Sequence, residues 1–121
     1  VKADHSSVMP DGAYGGNPGG FIVSSENGNF YYAGDTALHL DMKLIGKYHK
    51  LDFAVLPIGD NFTMGIEDAI VAADFINCDK IVGVHYDTFG YIEIDKTEAI
   101  RKFAEKGKEL ILVEIGQTKI I

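Results

Sequence analysis

Residues 52–76 read DFAVLPIGDNFTMGIEDAIVAADFI, and this stretch decides the fold. Asp52–Ile58 is an apolar run of strand length, and Pro57 near its end stops further ladder pairing. Gly59–Gly65 (GDNFTMG) is a loop. Ile66, Ala69, Ile70, Ala73 and Ile76 then recur at helical spacing, while Glu67 and Asp68 put negative charge in the first turn, where the helix dipole favours it. A buried strand passing through a glycine-bounded loop into an amphipathic helix is the repeating unit of an α/β fold.

The same alternation continues outward. Toward the C-terminus, Lys80–His85 reads as a strand and Tyr86–Asp95 as a loop. Thr97–Lys106 is helical with Ala99, Ile100, Phe103 and Ala104 inward, and Gly107 closes it. Glu109–Ile115 and Thr118–Ile121 are expected to finish as strands. Toward the N-terminus, Leu38, Met42, Ile45 and Tyr48 predict a helix over 38–49, with Gly46 weakening its last turn. Phe21–Ser25 and Asn29–Ala33 are strand-like runs separated by Glu26-Asn27-Gly28, a hairpin signal. Residues 11–20 (DGAYGGNPGG) hold five glycines and form a turn-rich loop. The reading is one α/β domain over residues 1–121, a mixed sheet with covering helices.

Composition narrows the function classes. The 121 residues carry a formal net charge of −7, which argues against unspecific nucleic-acid binding, because that needs a basic footprint to displace phosphate counterions. No apolar run approaches the roughly 18 residues of a membrane span, and the start lacks a basic-then-apolar signal pattern. Cys78 is the single cysteine and cannot make an internal disulfide or a thiolate cluster, which fits a reducing, cytoplasmic setting. A small-molecule substrate is the expected partner, with neither nucleic acid nor membrane.

Three places put a metal-competent side chain at the end of a predicted strand: His5 in ADHSS, Asp35 in AGDT and His85 in GVHY. Strands end at a common sheet edge, so residues far apart in the chain converge there. Neutral imidazole and ionised carboxylate are ligands that zinc and similar ions accept without thiolate, and one carboxylate can bridge two ions. Each also has a structural reading: a hydrogen-bonded histidine at a strand end, or Asp35-Thr36 capping the helix near Leu38. His39 and His49 fall on the predicted helix and are expected in solvent. Asp60 and Asn61 are turn formers or supports of the site, and Phe62, Met64, Tyr86 and Phe89 line a pocket or belong to the core. The glycine loop lacks the Gly-Lys-Ser/Thr ending of a phosphate loop, so a flavodoxin-like nucleotide reading has no support, and Ser6 and Ser7 have no identifiable triad partners.

Five segments together resemble the C-terminal half of the metallo-β-lactamase superfamily, and within it the branch of small prokaryotic metal-dependent hydrolases. They are Asp4-His5-Ser6-Ser7, Tyr32–Ala37 (YAGDTA), Asp41–Gly46 (DMKLIG), Leu56–Gly65 (LPIGDNFTMG) and His85–Phe89 (HYDTF). The resemblance spans nearly the whole chain and implies half of an αβ/βα sandwich with a dinuclear site at the strand ends. It implies His5 as a ligand of the first metal, Asp35 as the bridging carboxylate and His85 as a ligand of the second, with Asp35 and His85 the catalytic pair. Two divalent ions are implied, zinc first, with Mn, Fe or Ni also compatible, and the implied chemistry is hydrolysis of an ester, phosphoester or amide-type bond.

The family's His-x-His-x-Asp-His motif is absent and is expected upstream of Val1. The chain is therefore read as an incomplete catalytic domain, inactive alone, whose apolar sheet face would self-associate or pair with an N-terminal half. The alternative is a non-catalytic α/β scaffold that has lost the metal site.

Overall fold

The sheet begins with a tight hairpin whose strands, Phe21–Ser25 (β1) and Gly28–Tyr32 (β2), pair antiparallel from Phe21↔Tyr32 to Ser25↔Gly28. The turn rests on Glu26 and Asn27, and Gly28 takes a φ of 137° that a side chain rarely adopts. Asp52 locks the turn by accepting the Asn29 N–H at 2.7 Å. The computed structural model describes all residues from 1 to 121. The remaining elements are helix Met42–Tyr48 (α1), strand Phe53–Pro57 (β3), helix Ile66–Phe75 (α2), strand Lys80–Val84 (β4), a 3-10 turn at Gly90–Ile92, helix Lys96–Glu105 (α3) and strand Glu109–Ile111 (β5). The five strands lie in sequence order, with β2 to β5 parallel, which makes the sheet mixed as expected.

Alternation sorts the strands into two unlike faces. On one, Tyr31, Ala54, Leu56, Ile81 and Leu110 join Met42 and Ile45 of α1, Ala69, Ile70 and Ala73 of α2, and Ala99 and Phe103 of α3 in a single buried core. On the other, register aligns Phe21, Tyr32, Val55, Val82 and Ile111 in one row, with Val23, Phe30 and Phe53 in the next. The Phe30 and Phe53 rings stack at 4.8 Å. Of these eight, Val82 and Ile111 are buried, whereas Phe21, Val23 and Tyr32 are exposed. Parallel strands covered on both faces read as unbroken apolar runs. β3 reads that way, yet helices cover only one face.

Five details depart from the sequence reading. Ile100 and Ala104, expected on the inward face of α3, are exposed, and only Ala99 and Phe103 are buried there. Helix α1 starts at Met42 rather than Leu38, because residues 39–43 form tighter turns in which Met42 and Lys43 bond to His39 and Leu40. Gly46 is needed in its last turn: a Cβ there would stand 2.3 Å from the Phe75 carbonyl oxygen, where α1 crosses the end of α2. β5 stops at Ile111, and the strand expected at 118–121 does not form; the chain turns at Gly116 (φ 82°), and Ile120 finds no neighbour to pair with or pack against. The segment leading to His5 is loop with an isolated bridge from Lys2 to Gly19, not a strand. No helix is long and apolar enough to cross a membrane.

Candidate functional site

The parallel strands deliver their C-terminal ends to one rim, and the polar residues gather there. Asp35 follows β2 after Gly34, whose φ of 68° turns the chain and whose missing side chain leaves room for the Gly19 carbonyl, 2.6 Å from where a Cβ would sit. Thr36, fully buried, then ties three loops together. Its hydroxyl accepts the Asp4 N–H at 2.9 Å and donates to the Ala37 carbonyl, while its own carbonyl accepts the Met64 N–H at 3.0 Å. The loop carrying His5 and the GDNFTMG loop are thereby both fixed to the residue beside Asp35. The expectation that Asp35-Thr36 could cap α1 is corrected: the residue at the cap position is Asp41, and no side chain caps that helix.

His85 leaves β4 in a left-handed conformation, φ 59°, as does Asp87 at 61°. Such backbone costs a non-glycine residue about 1–2 kcal/mol. Gly59 makes the placement possible, since a Cβ at that position would lie 2.1 Å from the His85 carbonyl oxygen. Asp87 organises the following loop by accepting the Ile94 N–H, and its own N–H donates to Ile92.

His85 Nε2 faces Asp35 Oδ2 at 3.7 Å, beyond hydrogen-bond range. Its Nδ1 is buried without a partner. Neither ring nitrogen is hydrogen-bonded within the chain, so His85 is not the hydrogen-bonded structural histidine that its position alone allowed. His5 Nδ1 lies 3.0 Å from the Ser6 carbonyl oxygen. A carbonyl only accepts, so Nδ1 is the donor in this contact, and Nε2 is the nitrogen through which the ring could ligate an ion. His5, Asp35 and His85 line one cleft of about 980 Å³, which is walled by the 15–19 glycine loop and by Phe62 and Phe89.

The donor set can be tested against a divalent ion. Two ligands each about 2.1 Å from one ion stand roughly 3.4 Å apart at a tetrahedral angle. The 3.7 Å between Nε2 and Oδ2 is close to that spacing and too long for a hydrogen bond. No three His, Cys, Asp or Glu side chains converge closely enough to hold an ion by themselves, so His5 shares the cleft without closing a ligand set.

The other candidates separate clearly. Asp60 and Asn61 are left-handed turn formers, φ 65° and 61°. Met64 is buried in the core and Tyr86 packs against it, whereas Phe62 and Phe89 line the cleft. Ser6 Oγ accepts the Val8 N–H, so its hydroxyl shapes a turn and is not aimed at His5. His39, expected in solvent, is half-buried with both ring nitrogens unpartnered; burial first, and Lys2 second, hold its pKa below the usual 6.5. Thr36, Gly34 and Gly59 were not singled out as site residues. Only the glycine preceding each of Asp35 and Asp60 hinted at a constrained turn.

A family model described as "Beta-lactamase superfamily domain" matches residues 1–86. A UPF0173 metal-dependent hydrolase of Christiangramia forsetii is 67% identical over 118 residues, covering 98% of this chain and 52% of the relative. One of the same name from Flavobacterium johnsoniae is 64% identical over 118 residues, again 52% of its length. The solved structure of Igni18, a metallo hydrolase from Ignicoccus hospitalis, superposes with a TM-score of 0.82 at 33% identity, over 97% of this chain and 49% of that one. The chain thus spans about half the length of the relatives it matches. With a mixed sheet, one-sided helices and an imidazole–carboxylate pair at the strand ends, it belongs to the metallo-β-lactamase superfamily.

Proposed function

We propose that these residues are the C-terminal part of the catalytic domain of a metal-dependent hydrolase, in which His5, Asp35 and His85 hold divalent cations. The reading rests above all on the His85–Asp35 pair: an imidazole without a hydrogen bond, on left-handed backbone, 3.7 Å from a carboxylate in an open cleft. Divalent ions held there, two in a complete site and zinc before Mn, Fe or Ni, supply Lewis acidity for hydrolysis of an ester, phosphoester or amide-type bond. The chain's own contribution is positional. Thr36 and Gly59 hold the loops so that the three side chains line one cleft, and the Ser6 contact engages His5 through Nδ1, leaving Nε2 for an ion. The exposed apolar face of the sheet is where a second layer, bringing the remaining ligands, would pack.

A second reading, an α/β interaction domain without chemistry, draws on one observation: no three potential ligands converge on an ion within these residues. One experiment separates the two. The protein encoded by the whole reading frame is stripped of metal, reconstituted with Zn, Mn, Fe or Ni, and assayed on lactone, thioester, phosphodiester and lactam substrates. The hydrolase reading expects metal-dependent turnover in at least one class, with Asp35→Ala and His85→Ala losing metal and turnover together. Full activity in both variants removes these residues from the site, and a wild type that takes up no metal favours the interaction domain.

A further inference from the structure

Beside the three candidate ligands, the cleft presents a group of exposed apolar side chains and no lysine or arginine. Phe62 and Phe89 line it with their rings tilted against each other at 5.9 Å, and both remain about half exposed. The exposure is built in. Tyr91 supports Phe62 edge-on at 6.4 Å, and Asn61 Nδ2 donates to the Tyr91 carbonyl. The Phe62 and Asp60 N–H groups are satisfied inside the loop, by Asp60 and Met64. Val8 and Met9 line the same cleft and are exposed too, on a turn closed by the Met9–Ala13 hydrogen bond. No Lys or Arg lines the cleft, whereas Asp4 and Asp35 do, on a chain whose net charge is −7.

We infer that this cleft selects an uncharged substrate with an aryl or alkyl arm beside the bond to be cleaved, and rejects substrates whose arm carries a negative charge. The inference rests on the hydrolase reading and narrows it toward substrates whose arm beside the scissile bond is neutral and apolar. An anionic arm would be desolvated against Phe62, Phe89 and Met9 with no lysine or arginine beside them to pair with, and would meet the Asp4 carboxylate. A neutral arm gains contact with aromatic faces already ordered and already exposed, so little ordering entropy opposes binding.

Two measurements on the whole reading-frame protein test this. The first is a fluorescence titration after EDTA treatment, comparing neutral N-phenyl-naphthylamine with anilinonaphthalene sulfonate, which differs by one sulfonate. The neutral probe is expected to bind about tenfold more tightly, and Phe62→Ser with Phe89→Ser to weaken it about fivefold, while Tyr48→Ser, exposed on α1 away from the cleft, leaves it unchanged. Equal or tighter binding of the sulfonate, or indifference to the double substitution, overturns the inference. The second compares metal-loaded hydrolysis of phenyl valerate and monophenyl glutarate, which differ only in a terminal methyl or carboxylate. The expected kcat/KM ratio is about tenfold in favour of the valerate, and a ratio near one or below overturns the inference. Hydrolysis of neither ester or of any other substrate class would count against the hydrolase reading, while the probe titration would still decide the preference of the cleft.

Discussion

The helix-covered interior and the rim at the strand ends are built by opposite rules. In the interior, Tyr31, Leu56, Ile81 and Phe103 are essentially inaccessible, and α3 turns Ala99 and Phe103 onto them. At the rim, Asp60, Asn61, His85 and Asp87 all hold left-handed backbone, and His85 Nδ1 is buried without a partner. The interior is stabilised by burial, while the rim spends part of that stability to hold a geometry. Proteins commonly break local rules where function needs it, and here four of the five left-handed non-glycine residues lie at the rim, His85 among them.

If that division holds, substitutions should act on one region's property and spare the other's. The largest effect is expected from Ile81→Ala, near the start of β4, at the end of the strand away from the rim. Chemical denaturation should show a loss of about 2–5 kcal/mol, with metal affinity of the folded fraction unchanged. Thr36→Val keeps the shape but leaves the Asp4 N–H without its acceptor, so a loss of about 1–2 kcal/mol is expected. Because Thr36 fixes the His5 loop, metal affinity measured by calorimetry should fall as well. A stability loss without any change in affinity would break the link drawn here between the buried hydroxyl and the site.

His85→Gly should reverse the usual sign. It relieves a left-handed histidine and removes an unpartnered buried nitrogen, so the metal-free protein should become more stable by up to about 1 kcal/mol while losing metal. Destabilisation of the metal-free form would show that His85 is structural after all. The smallest effect concerns pH. Burial, then Lys2, lowers the His39 pKa in the folded state below 6.5, so the unfolded chain takes up that proton first as pH falls. Stability should be lost from about pH 6.5 downward through the folded value, and His39→Gln should flatten that part of a stability-versus-pH curve.

The legible parts of the sequence were those governed by short-range physics. The 66–76 periodicity located α2, the Glu26-Asn27-Gly28 signal located the hairpin, and strand ends brought Asp35 and His85 to one rim. What escaped depended on partners distant in the chain. The Thr36 hydroxyl serves a backbone N–H 32 residues away, and the left-handed backbone at His85 is accommodated by Gly59, 26 positions earlier. A strand at Thr118–Ile121 needs a neighbour to pair with, and the five-stranded sheet ends at β5 with none beside these residues. Asp52–Ile58 read as fully buried because both of its faces are apolar, although only one is covered by helices.

Zinc uptake by the intact protein tests the central claim most directly. Calorimetric titration of metal-stripped wild type, Asp35→Ala, His85→Ala and Ile81→Ala should show binding in the wild type and in Ile81→Ala, and its loss in the two rim variants while they stay folded by circular dichroism. Undiminished zinc binding by folded Asp35→Ala and His85→Ala would contradict the account.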